Sequence, residues 1–135
     1  MTIVADTNIW IISLTSRSPY HEIFIALRNG KFDLAISNEI LTEYHEVISN
    51  KYSPRVANEF IHLLTELPNV HYTTVYYYWD LIKADQDDNK FADCAIAAAA
   101  DYLVTEDNHF NILHQIDFPK VTLLGIDDFS ALIAV

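Results

Sequence analysis

Asp6, Glu43, Asp93 and Asp107 are widely spaced along this chain, yet each falls where a strand ends or a helix begins. Carboxylates brought together repel: at about 4 Å and an effective dielectric of about 20 a pair costs roughly 4 kcal/mol. A cluster of them therefore needs protons or a cation for relief, and a divalent metal ion is the expected one. Around the acids stand Thr7, Asn8, Ser37 and Thr105, short polar residues able to orient carboxylates or hold metal-bound water, or alternatively to serve as turn and cap residues. Asp88, in the acidic stretch Asp85-Gln86-Asp87-Asp88-Asn89, is a secondary ligand candidate.

Each acid has a plainer reading beside the functional one. Asp6 and Asp107 could cap the helical segments that follow them. Glu43 has Ile40 and Val47 as helical neighbours and sits at the border of an apolar stripe with Tyr44 and Ile48, whereas Glu39 and Glu46 lie one turn away on either side. Asp93 is the only charged residue between Phe91 and Ala100. Buried in that apolar helix it needs a cation or hydrogen-bond donors, and Lys90, three residues earlier, is one available partner.

The elements that must position these residues alternate along the chain. Apolar runs at Thr2–Ala5, Phe32–Ile36, Val70–Val75, Tyr102–Val104 and Val121–Leu124 predict five strands. Between them the patterning predicts helices near Ile9–Leu14, Pro19–Asn29, Asn38–Asn50, Pro54–Leu67, Trp79–Ala84 and Lys90–Asp101, with a last one from Asp127. Strands alternating with helices indicate an α/β fold, an open parallel sheet covered on both faces, in a single domain over residues 1–135. Crossover helices in such a sheet run antiparallel to the strands, so helix N-termini and strand C-termini share one edge, the edge where ligands gather. The four acids are expected there together.

Composition narrows the partners. The formal net charge is -11 and only 8 residues are Lys or Arg, which excludes a broad basic face for gripping a polyanion. A nucleic-acid substrate would have to be held locally, with Arg17, Lys51, Arg55 or Lys90 as candidate phosphate contacts. The six histidines have no zinc-box spacing, and one cysteine, Cys94, gives neither a disulfide nor a structural zinc site. Neither a glycine-rich phosphate loop nor a Ser/His/Asp triad can be assembled. A buried, reduced Cys94, the lack of a signal peptide and the absence of a membrane-length apolar run lead us to expect a cytoplasmic protein without membrane contact.

Asp6-Thr7-Asn8 closing the first strand, Glu43 early in a helix, Asp88-Asn89-Lys90-Phe91-Ala92-Asp93-Cys94-Ala95-Ile96-Ala97, and Tyr102-Leu103-Val104-Thr105-Glu106-Asp107 together resemble the PIN domain family, over nearly the whole chain. In particular the chain is similar to the VapC-like ribonucleases, bacterial toxins of toxin–antitoxin pairs. That resemblance implies a three-layer α/β/α fold with a five-stranded parallel sheet in the order 3-2-1-4-5, and Mg2+ or Mn2+ held by Asp6, Glu43, Asp93 and Asp107. It further implies cleavage of single-stranded or loop RNA to products with a 5′-phosphate, an antitoxin protein as partner and a homodimer, to which the aromatic run Tyr76-Tyr77-Tyr78-Trp79 could contribute if it is not core. Two other classes fit some of the same residues: a receiver-like phosphoacceptor module, which leaves Asp93 unexplained, and a catalytically silent PIN fold acting as an interaction scaffold.

Overall fold

The computed structural model describes residues 1–134. At its centre lies β1 (Thr2–Ala5), whose Ile3, Val4 and Ala5 are fully buried, as a strand covered on both faces requires. β1 pairs in parallel with β2 (Asp33–Ile36) on one side and β4 (Tyr102–Val104) on the other. β3 (Val70–Tyr72) and β5 (Leu123–Leu124) close the sheet, giving the order β3-β2-β1-β4-β5 with all neighbours parallel. The fold class and strand order expected from the sequence are those observed.

Two helices, α1 (Thr7–Ser13) and α2 (His21–Arg28), connect β1 to β2, and α3 (Asn38–Lys51) and α4 (Pro54–Glu66) connect β2 to β3. Ser37 and Ser53 cap α3 and α4, each accepting from a backbone N–H three residues on, and Pro54 opens α4 where its missing N–H costs nothing. Trp10, Tyr44 and Phe60 meet edge to face or tilted and join α1, α3 and α4 into one packed layer. The return from β3 crosses the sheet through α5 (Asn89–Ala97), where Phe91 packs on Phe110, and the chain ends in α6 (Ile126–Ile133), whose Phe129 packs on Phe32. Among the described residues no helix is long and apolar enough to cross a membrane.

The stretch between β3 and α5 departs from the sequence reading. The helix expected over Trp79–Ala84 does not form, and β3 stops at Tyr72 rather than Val75. Asp80 has a positive φ of 53°, which breaks any helical run, and the backbone N–H and C=O of Ile82 are satisfied by the Asn89 side chain at 2.8 and 3.0 Å. Tyr76, Tyr77 and Tyr78 are 90%, 63% and 66% exposed, so these rings do not enter the core. α5 is also shorter than expected: Ala99, at φ 51°, makes the left-handed stop that glycine usually supplies, and Ala100 N–H returns to Ala95 C=O at 2.9 Å. A 3-10 turn over Asn108–Gln115 follows β4.

Candidate metal site

The carboxyl ends of β1 and β4 are tied by a polar chain. Asp6 occupies the N-cap position of α1, yet its carboxylate makes no cap hydrogen bond. Instead Oδ2 accepts from Thr105 Oγ1 at 3.0 Å, and Thr105 Oγ1 accepts from the Asp107 N–H, also at 3.0 Å. Asp6 is only 5% exposed. Burial pushes its carboxyl up to about 6; the Thr105 hydrogen bond works against that, and the charges of Glu43 and Asp107 add to it.

Asp88 repeats the pattern from α5. It too stands at an N-cap position without capping, and it is buried. Burial pushes its carboxyl up to about 6, and the charges of Asp85, Asp107 and Asp6 raise it further. Its Oδ2 is buried with no hydrogen-bond donor. His109 Nδ1 lies 3.4 Å from this oxygen, where it works against that rise, and 3.5 and 3.7 Å from carboxylate oxygens of Asp107 and Asp85. Among the described residues, Asp85, Asp88 and His109 form the one group of three whose ligand atoms all lie within 4.8 Å of one another. Sequence reasoning gave His109 no role, because a single histidine without a paired spacing carries no signal; only folding of β4 against α5 brings it to Asp85 and Asp88.

Glu43 reaches the same edge from α3, whose buried Ile40, Tyr44 and Ile48 fix the helix rotation, with the Tyr44 hydroxyl donating to Ala5 C=O at 2.6 Å. Its Oε1 accepts from Lys90 Nζ at 2.8 Å and its Oε2 from Thr7 Oγ1. Lys90, weighed as a partner of Asp93 or of a phosphate, is thus the partner of Glu43. Asp107 makes the cap it was suspected of, accepting from His109 N–H at 2.8 Å.

Asp93 stands apart. It is buried on α5, its Oδ1 accepts from Trp79 N–H at 3.1 Å, and burial raises its carboxyl, with Glu39 and Asp80 as the neighbouring charges. Asp6, Glu43 and Asp107 are not among the charges acting on it. Asp88 stands at the N-cap before α5 and Asp93 lies inside it, so the two leave the helix from different places and meet different neighbours. Asp88 thus has Asp6 and Asp107 as neighbouring charges, whereas Asp93 has Glu39 and Asp80.

The remaining candidates sort similarly. Thr7 and Thr105 hold Glu43 and Asp6; Ser37 caps α3, and Asn8 is exposed. Lys51 ends α3, about 20 Å along the helix from the end that carries the acids, and Arg55 opens α4 beside it, paired with Glu59. Arg17 is exposed in the α1–α2 connection. Glu106 is drawn to α6, accepting from Ile126 N–H at 2.9 Å where Gly125 offers no cap of its own.

Donors that are mainly carboxylate oxygens suit a hard divalent cation, and the orphaned, buried Asp88 Oδ2 is what such an ion would satisfy. A family model described as the PIN domain matches residues 2–109. Among solved structures, a chain of VapBC2 from Rickettsia felis bound to a DNA fragment from its promoter is 20% identical, with a TM-score of 0.63, covering 93% of this chain and 98% of that one. A chain of VapBC-1 from nontypeable Haemophilus influenzae is 18% identical, with a TM-score of 0.59, covering 94% and 99%. No curated protein matches the sequence.

Proposed function

The chain belongs to the PIN domain family, and from that membership and the acid cleft we propose that it is a metal-dependent endoribonuclease, the toxin of a toxin–antitoxin pair. The observation that carries the reading is the pair Asp6 and Asp88. Both are aspartates at N-cap positions, both forgo the cap, and both have a carboxyl pushed up to about 6, Asp6 with Glu43 and Asp107 as neighbouring charges and Asp88 with Asp85, Asp107 and Asp6. An aspartate normally gains about 1 kcal/mol by capping. Two that turn away from it and into the field of Asp107 are arranged for something that repulsion prepares, a multiply charged cation.

Asp88, with Asp85 and His109 within 4.8 Å of one another, would hold Mg2+ or Mn2+ together with Asp6 and Asp107, and Glu43 would stand at the margin. When bound, the ion supplies an activated water and stabilisation of charge on the phosphodiester under attack. Thr105 keeps Asp6 and Asp107 in register by donating to one and accepting from the backbone of the other. Lys90 holds Glu43 and brings a cation to the wall of the cleft, where an incoming phosphate would meet it. An RNA strand splayed into single bases suits a narrow acidic cleft better than a duplex does. Both structural relatives are chains of VapBC structures. By analogy an antitoxin carrying Arg or Lys would enter this cleft and compete for the same carboxylates; a homodimer is proposed on resemblance alone.

The test is cleavage of an unstructured RNA in Mg2+ or Mn2+ by the wild type, Asp6→Asn, Asp88→Asn and Asp93→Asn. Loss of at least about 100-fold is expected for the first two variants, with products bearing a 5′-phosphate and no cleavage in EDTA. Asp93→Asn keeps metal-dependent cleavage with at most about a tenfold loss. An Asp88→Asn enzyme as active as wild type beside a dead Asp93→Asn would return Asp93 to the metal site.

A further inference from the structure

Beside the acid cleft, between the end of β3 and the N-termini of α3 and α5, lies a cavity of about 200 Å³. Its walls include Asp93, Glu39, Tyr72, Tyr78, Thr73 and Lys90. Lys90 also binds Glu43, so cavity and cleft share a wall. We infer that this cavity receives one unstacked guanine base of the RNA, an assignment that deepens the ribonuclease reading by naming what the enzyme selects.

Two kinds of observation carry it. The first is the donor balance of the cavity. Asp93 is 4% exposed and lines it, and among the described residues only one group donates to its carboxylate, the Trp79 N–H on Oδ1. Its other oxygen is left to a ligand, and Glu39 adds a second acceptor. Carboxylates accept and do not donate, so the base they recognise must present donors. Guanine offers two adjacent ones, N1–H and the N2 amino group, which a carboxylate accepts together. Adenine and cytosine set an acceptor nitrogen beside their amino group, and uracil flanks its one N–H with two carbonyls, so each would aim lone pairs at the acids.

The second is the exposed aromatic rim. Tyr72 and Tyr78 are 56% and 66% exposed at the mouth, and the stretch from Thr73 to Asp85 that presents Tyr78 lies outside regular structure. A chain of net charge -11 cannot hold RNA mainly by charge; stacking on tyrosine is indifferent to that charge and needs a base out of its helix. The second oxygen of buried Asp93, the exposed Glu39 carboxylate and the rings at the mouth together describe a pocket for a base.

The experiment uses the metal-free protein with neutral nucleosides, so that neither the metal nor phosphate repulsion intervenes. Backbone amide NMR follows Trp79 N–H, the hydrogen-bond donor to Asp93, while guanosine, adenosine, cytidine and uridine are titrated. Guanosine is expected to shift the Trp79 and Glu39 amides saturably, with a dissociation constant about tenfold below those of the other three. Asp93→Asn, and Glu39→Gln, whose exposed side chain makes folding safe, should each weaken guanosine about tenfold, and Tyr78→Ala should weaken all four alike. Equal shifts from all nucleosides, or none, would overturn the pocket. Sequencing the cut ends of a mixed RNA then expects guanine at one fixed distance from the break, a bias that Glu39→Gln flattens. Cleavage with no guanine bias and no guanosine binding sinks the pocket and spares the nuclease; guanosine binding without any cleavage does the reverse.

Discussion

Replacing Asp6 by Asn should make the metal-free protein more stable, the opposite of what substituting a buried, hydrogen-bonded residue usually does. The carboxyl of Asp6 is raised from 3.8 to about 6 by burial in a cleft shared with Glu43 and Asp107. A rise of that size means about 3 kcal/mol of stability forgone at neutral pH to keep the charge. Asn keeps an oxygen to accept from Thr105 and carries no charge, so most of that is recovered in the variant. The sign in pH follows. Because the folded state holds the proton more tightly than the unfolded one, the contribution is fully present below about 3.8 and lost as pH rises through about 6. Thermal melts in EDTA should therefore give Asp6→Asn a gain on the order of 10 °C at pH 7.5, shrinking toward zero near pH 4. With Mn2+ at about 100 times its dissociation constant the wild type should recover roughly 2.7 kcal/mol, and the variant much less. A variant that melts lower than wild type in EDTA, or that responds to Mn2+ as fully, would refute the view that this cleft is electrostatically frustrated and relieved by an ion.

Three further outcomes test the surroundings of the site. Lys90→Met removes the cation from Glu43, whose side chain is 21% exposed, and should cost about 1–2 kcal/mol in urea denaturation at neutral pH. Asn89→Ala leaves the N–H and C=O of buried Ile82 without partners; a loss of about 1–3 kcal/mol is expected, with faster amide exchange across residues 76–85. Cys94 is buried with its thiol pushed up to about 12, so an aromatic disulfide reagent at pH 8 should label it only after denaturation, and rapid labelling of the native protein would contradict its place in the core.

The sheet was legible because its signals are local and unambiguous. Four-residue runs such as Thr2–Ala5 read as buried strands, their alternation with capped helices at Ser37 and Ser53 indicates a parallel α/β sheet, and the strand order followed from the resemblance to PIN domains. What misled was missing punctuation. With two glycines in the chain, the end of α5 had no residue marking it, and Ala99 took the left-handed position on tertiary demand alone. The segment from Trp79 to Ala84 carries helix-compatible residues, but a side chain outside it, Asn89, binds the backbone of Ile82, a contact no local pattern encodes.

The acids show where reading by type stops and geometry must take over. Position along a parallel sheet sufficed to expect Asp6, Glu43, Asp93 and Asp107 at one edge, because that follows from chain direction, with Asp88 a further candidate from the loop before α5. Choosing between Asp88 and Asp93 needed the rotation of α5, which depends on how Phe91, Ala92 and Cys94 bury. The same apolar surroundings that made Asp93 conspicuous in the sequence belong to the side of α5 that meets Trp79 and Glu39. Asp88, set among other acids in a charged loop, stood only as a secondary ligand candidate in the sequence, and folding buries it with Oδ2 lacking a hydrogen-bond partner. A charge among charges is inconspicuous in a sequence, yet in the fold Asp88 is buried beside Asp85, Asp107 and Asp6, the setting that the metal proposal rests on. Exchanging the two by Asp88→Asn and Asp93→Asn therefore asks whether function follows the conspicuous residue or the frustrated one, and the electrostatics favour the second.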